Sequence, residues 1–253
     1  KIYEDGVLSE IKMPEAEVGF AIASHYLWMA EGSRWVVAEI NVAGYSGAPF
    51  EDFKNKITCH LTSEKGWIQK DPFLFFPISA TTFWLLIEIG GSEAPITPYQ
   101  AKTHGYTFET DLPVLLIKLK HDAADKYAYF VFQDIVITSI NLNVLVFNLK
   151  TLVVSNDFGP VDTSKPFQPY GASPVANHAL VIGSKEIFQK KLIGVSIGVT
   201  WLNLPDPYGT TPKVNVEFLQ AGQWRPTGIA PIPVIPTTLE VSDIYNLTSN
   251  LDL

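Results

Sequence analysis

The chain has 253 residues, 47% hydrophobic and only 17% charged, which excludes a disordered polymer and leaves ample apolar surface to offset ordering entropy. Its net charge of -8 opposes phosphate backbones, and no Lys/Arg run interleaves with aromatics, so nucleic acid is not an expected partner. The longest apolar runs, such as Phe73 to Ile78, fall far short of the roughly 20 residues that span a bilayer, so no membrane span is expected.

Residues 1–18 read as a lead-in. The chain opens at Lys1 with neither an initiator Met nor the basic, apolar, small-residue order of a signal peptide, so a chain trimmed or excised from something longer is expected. From Gly19 onward, short β-branched or aromatic runs alternate with turn residues: Trp35 to Val42, Ile57 to Leu61, Phe83 to Ile89 and Val114 to Lys120. Ile117-Lys118-Leu119-Lys120 and Ile140-Asn141-Leu142-Asn143-Val144 alternate apolar with polar, the pattern of antiparallel strands with one face in a core. Asp122 to Asp134 reads two ways. Ala123, Ala124, Tyr127 and Phe130 fall near helical spacing, while the aromatic-rich Tyr127 to Phe132 also suits a strand. Ile135 to Val154 returns to strand and closes a first module over 19–155.

Prolines and glycines crowd 156–174, a composition expected to break any ladder and to mark a linker between modules. Strands resume at Ala179 to Ile182, Leu192 to Leu202 and Lys213 to Leu219, interrupted by Ser184 to Lys191. There Ser184 can cap a short helix whose Ile187, Phe188 and Leu192 share one apolar face. These form a second module over 175–228. The tail, 229–253, alternates proline with aliphatics from Ile229 to Pro236, as an extended connector or edge-pairing arm does, and ends in a weakly amphipathic stretch from Asp243. With 12% aromatics, 18 Pro and 17 Gly, the expected class is all-β: two tandem antiparallel β-sandwich-like domains with at most short helices.

Signs of chemistry are weak. His25, His60, His104, His121 and His178 are not spaced beside carboxylates as compact metal sites require; His60 is expected to face away from its strand's core side and His104-Gly105 to form a turn. The nearest approach to a nucleophile elbow is Gly44-Tyr45-Ser46-Gly47, which reads as a turn. Glu39, Glu88 and Glu217 lie in strand-like runs and could be paired acids of a glycosidase, or simply the polar faces of strands. The lone Cys59 alternates with Ile57 and Leu61 as a small buried hydrophobe, which suits a reducing site of synthesis. No catalytic residue, metal site or cofactor is therefore expected. Trp84 and Trp201 stand in apolar runs and read as core. Trp67 and Trp224 read as turn residues able to meet a partner protein or a sugar, so a carbohydrate-binding module is the rival to a structural role.

The most specific residues are Asn156-Asp157-Phe158-Gly159-Pro160-Val161-Asp162, then Lys165-Pro166-Phe167-Gln168-Pro169-Tyr170-Gly171, Pro174, and Val181-Ile182-Gly183-Ser184-Lys185-Glu186-Ile187-Phe188 with Lys190-Lys191-Leu192. With Gly19 to Ser24, Glu64 to Ile68, His104-Gly105 before Leu112-Pro113-Val114, and Val199 to Pro205, they make the chain from Gly19 to Trp224 resemble the baseplate-J-like wedge proteins of phage-tail-like contractile injection systems. It departs from that pattern at Tyr170, where a second phenylalanine is expected, and at Asn177-His178-Ala179, where Gly-Ser and an aromatic are more usual. The resemblance implies a non-enzymatic interior portion of a longer polypeptide that joins other baseplate and tail subunits at the tip of a contractile tube. It also implies residence in the bacterial cytoplasm during assembly and then in the particle. Trp67, Phe167, Pro169, Tyr170 and Trp224 are the candidate inter-domain or partner contacts.

Overall fold

A computed structural model describes residues 2–4, 7–9, 17–120, 127–188, 190–192, 194–198, 200, 202, 213–220, 222–226, 232–233 and 238–242. The chain is all-β, built from antiparallel ladders, and divides into two compact units, Lys1–Lys150 and Thr151–Leu253.

The first unit opens with a small ribbon, β1 (Ile2–Glu4) against β2 (Val7–Ser9). Eight further strands follow: β3 (Gly19–Ala23), β4 (Ser33–Ala43), β5 (Ile57–Ser63), β6 (Gly66–Lys70), β7 (Leu74–Ser79), β8 (Thr82–Ile89), β9 (Val114–Leu119) and β10 (Val136–Phe147). They make two four-stranded sheets, ordered β10-β4-β8-β7 and β3-β9-β5-β6. Period-two alternation sends Val36, Ala38, Ile40 and Val42 of β4 and Phe83, Leu85, Ile87 and Ile89 of β8 inward, where they join Ile57, Cys59 and Leu61 of β5 and Leu115 and Ile117 of β9 in one core. Each Val, Leu, Ile or Phe among them, taken from water to this interior, contributes about 1.5–3 kcal/mol before entropy is counted.

β4 is bracketed by Gly32 and Gly44, both at positive φ, where a Cβ would lie 2.3 Å from the Phe147 carbonyl oxygen and 2.2 Å from that of Asp134. Only glycine lets the chain turn that close to the ends of β10. At one end of the core Arg34 is fully buried. Its five N–H groups reach carbonyl oxygens of Gly32 (3.1 Å), Met29 (3.3 Å), Ala94 (2.9 Å), Gly90 (3.0 Å) and Glu93 (2.9 Å), pinning the start of β4 to the turn after β8.

Among the described residues two short α-helices and two 3-10 turns, His25–Leu27 and Lys54–Lys56, complete the unit. α1 (Ala101–His104) ends in a left-handed Gly105, and α2 (Tyr127–Phe132) resolves the double reading of that segment in favour of helix; Val131 and Phe132 pack on the core. His121 and the other residues of 121–126 lie outside the described residues.

In the second unit β11 (Val153–Asn156) sits between β12 (Gly159–Val161) and β13 (Leu180–Gly183). α3 (Lys185–Phe188) follows a buried Ser184, as expected for that short helix. Three ribbons complete the described ladders: β14 (Gly194–Gly198) with β19 (Thr238–Ser242), β15 (Lys213–Val214) with β18 (Ile232–Pro233), and β16 (Glu217–Gln220) with β17 (Gln223–Pro226). Residues 243–253, expected to be weakly amphipathic, lie outside the described residues.

The division between units falls at Lys150/Thr151, and 156–174 belongs wholly to the second unit. Its prolines do not exclude a ladder: Pro160 pairs with Ser155 inside β12. That strand is the margin of its sheet, where a missing N–H faces no strand among the described residues.

Candidate functional site

The outward face of the β10-β4-β8-β7 sheet carries a platform that the alternation of each strand dictates. Cross-strand register sets it in rows: Leu145–Trp35–Glu88, then Asn143–Val37–Leu86–Leu74, then Asn141–Glu39–Trp84–Phe76, then Ser139–Asn41–Thr82–Ser79. Trp84 is 45% exposed, Leu145 43% and Phe147 46%. Phe73 extends the first row, its ring 5.8 Å from Trp35. Phe50 extends the third, 6.0 Å from Phe76.

Phe50 is unusual twice over. It is 71% exposed and its backbone sits in the left-handed region at φ 61°, a conformation unfavourable to any bulky side chain. A hydrogen bond from its N–H to the Pro77 carbonyl (2.7 Å) holds it there. Left-handed backbone at a non-glycine residue costs about 1–3 kcal/mol and persists only where the surrounding structure imposes it.

The polar members of the face are organised too. Asn141 Nδ2 donates to Glu39 Oε1 (3.1 Å), Thr82 Oγ1 donates to Asn41 Oδ1 (3.1 Å), and Asn41 Nδ2 donates to Ser139 Oγ (3.1 Å). The charged residues in these rows are Glu39 and Glu88.

The outward face of the other sheet is covered instead. His104 is buried, receives the Gln100 N–H at Nδ1 (3.0 Å) and places Nε2 3.0 Å from the Ser63 carbonyl, so the tautomer protonated at Nε2 satisfies both. Trp67 donates its indole N–H to the His104 carbonyl (2.7 Å) and meets the rings of His60, His104 and Tyr106. Beside them Glu17 accepts from Lys118 Nζ and Tyr106 Oη, each at 2.7 Å, and these two bonds hold its carboxyl below its ordinary value. Burial, with Lys118 adding its charge, pushes the His60 imidazole down; its Nε2 is enclosed without a hydrogen-bond partner.

The sequence-derived candidates fall out unevenly. Trp67 is not a turn residue but a half-buried strand residue of β6 locked into this cluster. Trp224 lies in β17 rather than a turn, half exposed, opposite the exposed Leu219 across a hairpin. Trp84, read as core, is the most prominent indole of the open face, while Trp201 lies outside the described residues. Phe167, Pro169 and Tyr170 belong to a loop that folds on the second unit's own sheet. Asn156 Nδ2 donates to the Gln168 carbonyl (3.3 Å), His178 Nδ1 lies 3.3 Å from that of Tyr170, and Asp157 accepts from the Ala179 N–H (2.8 Å). Phe167 is exposed, Pro169 and Tyr170 are half-buried, and burial raises the Tyr170 hydroxyl above its ordinary value.

His60 faces away from the core, as its alternation indicates. Cys59 is buried, and burial pushes its thiol up to about 12, which leaves no thiolate for nucleophilic work near neutral pH. Glu39 and Glu88 share the open face of the first unit, while Glu217 lies in β16 of the second. Among the described residues no cluster of His, Cys, Asp and Glu could hold a metal ion, and no helix is long and apolar enough to cross a membrane. Neither a protein-family model nor a curated protein matches the chain.

Proposed function

We propose that this chain is a non-enzymatic structural component of a phage-tail-like contractile injection baseplate, and that it works by protein–protein contact through the open face of its first unit. The observation that carries the reading is Phe50, held exposed on left-handed backbone at the end of a row that continues through Phe76 and Trp84. An aromatic row flanked by aliphatics is the composition of an interface centre, and the polar groups at the Asn41 end have that of a rim. The resemblance of Asn156 to Gly171 and Val181 to Leu192 to the baseplate-J-like wedge proteins supplies the assembly in question. Co-expression with sheath, tube and wedge subunits of such a system is expected to carry the chain into particles, and Trp84→Ala with Phe50→Gly to reduce incorporation at least about tenfold, as loss of central aromatics does. Incorporation unchanged in that double variant would overturn the docking face.

A second reading has its own observation. The exposed Trp84 indole stands in one row with the hydrogen-bonded Asn141–Glu39 pair, an apolar plane beside polar groups as a sugar ring requires. Saccharide binding on a glycan array that disappears in Trp84→Ala, with no incorporation into particles, would establish that reading in place of the first.

A further inference from the structure

The margins of the two sheets are not alike. β7 is six residues long, contains Pro77 and loses register between Pro77 and Ser79; β3 and β6 have five residues each. Such short or interrupted strands discourage pairing with another chain. β10 is the exception. It runs for 12 residues at the margin of its sheet, with no described strand on its far side, and from Val136 to Phe147 it holds no charge, no proline and no glycine. Its register shift between Ile137 and Ser139 leaves an uninterrupted ladder from Ser139 to Phe147.

The core is also less completely covered along this margin, although the 3-10 turn His25–Leu27 packs against β10. The inward-facing Val36, Ala38, Ile40 and Val42 of β4 are at most 5% exposed, whereas Ile140, Leu142, Val144 and Val146, facing the same core from β10, are only half-buried. A further strand alongside β10 would cover them.

We propose that this strand is β10 of a second copy of the chain, paired antiparallel about a two-fold axis at Leu142. Copies carrying a net charge of -8 repel one another, and a strand without charges is where they can approach with no like charges opposed. The register is self-complementary. It sets Ile140 opposite Val144 on the core side and Asn141 opposite Asn143 on the outer side, where two carboxamides can exchange hydrogen bonds. Inward residues meet inward residues throughout, so two four-stranded sheets become one of eight with a continuous core. The isologous contact is closed, which ends assembly at the dimer. The inference does not depend on what the open face of the sheet binds.

Sedimentation equilibrium on the whole chain, from micromolar to sub-millimolar concentration, is expected to show a dimer of twice 28.0 kDa. Asn141→Asp with Asn143→Asp keeps side-chain shape while setting carboxylates against each other across the axis, and is expected to weaken the dimer at least about tenfold, whereas Asn141→Asp alone, which loses the bond to Glu39 but leaves a carboxamide opposite, is expected to weaken it less than about threefold. Trp84→Ala, on the open face, is expected to leave it within about twofold. A wild-type chain that stays monomeric throughout, a dimer indifferent to the double variant, or one abolished by Trp84→Ala alone would each overturn the pairing. Should circular dichroism show the double variant unfolded, Leu142→Cys decides. Because Cys59 is buried, disulfide-linked dimers on mild oxidation can form only through Cys introduced at the two-fold position, and their absence would equally overturn the proposal.

Discussion

At the residue scale, Arg34 is the least expected side chain of the core and among the most consequential. A buried guanidinium is tolerated here because every N–H finds a carbonyl, each bond being charge-assisted. Arg34→Met removes the charge but strands those carbonyls in a dry site, at about 1–3 kcal/mol for each that water cannot reach. The variant is expected to lose about 3 kcal/mol or more in urea unfolding; a loss below about 1 kcal/mol would show that the turn after β8 relaxes without it. Phe50 gives the opposite sign. Phe50→Gly relieves a left-handed backbone strain and is expected to raise stability by about 1 kcal/mol while weakening contact at the open face, and a drop in stability would mean that the ring packs more than its exposure indicates. Neither residue was legible in the sequence. Nothing local says that an arginine preceding Trp35 turns inward, or that Phe50 takes left-handed backbone. Trp84 reads as core in the sequence for a definable reason: Trp84 and Leu86 on the outer side match Phe83, Leu85 and Ile87 on the inner, so the run is apolar on both faces and carries the pattern of a fully buried strand.

At the element scale, the strands whose alternation shows in the sequence are those with one polar face, such as Ile140 to Val144 of β10 and Ile117 to Lys118 of β9. β6 and β12 do not read as strands because each begins in turn residues, Gly66 in one and Gly159-Pro160 in the other, which announce turns before they announce strands. The cluster over β5, β6 and β9 could not be read at all, since Trp67 meets His104 from 37 positions away and Lys118 meets Glu17 from 101. That cluster has a pH signature. The ordinary imidazole value is about 6.5, and His60 lies below its own in the folded chain, so as pH falls the unfolded chain takes up the proton first. The stability that neutral His60 preserves is thus complete above about pH 6.5 and declines as pH falls towards its folded value. Glu17 acts in a lower window, because its folded value is depressed: its contribution stands above about pH 4.3 and is lost as pH falls through the folded value. Urea midpoints of wild type should therefore fall from pH 7 to pH 5, and His60→Phe should flatten that decline. Parallel profiles for the two proteins would rule His60 out as its source.

At the scale of the whole molecule, the two units are stabilised by different means. The first encloses a core drawn from both of its sheets, and every strand and loop that builds this core lies before Lys150. Among the described residues of the second, Val154 is the apolar side chain buried to the same degree, and the ladders are short. A buried Lys190–Glu186 pair adjoins α3, an arrangement that favours one geometry more than it adds stability. Burial of apolar surface is the dominant favourable contribution to folding, so the units should differ in resistance to denaturant. Unfolding of the chain in urea is then expected in two steps, the second unit first. A fragment of residues 1–150 should reproduce the later step, with the same midpoint and a cooperative transition, because the described residues of that core all lie within it. Tryptophan emission follows this directly, Trp28, Trp35, Trp67 and Trp84 belonging to the first unit and Trp201 and Trp224 to the second. A fragment that unfolds without cooperativity, or a single transition in the whole chain that vanishes when the second unit is removed, would show that the sandwich depends on its neighbour for stability.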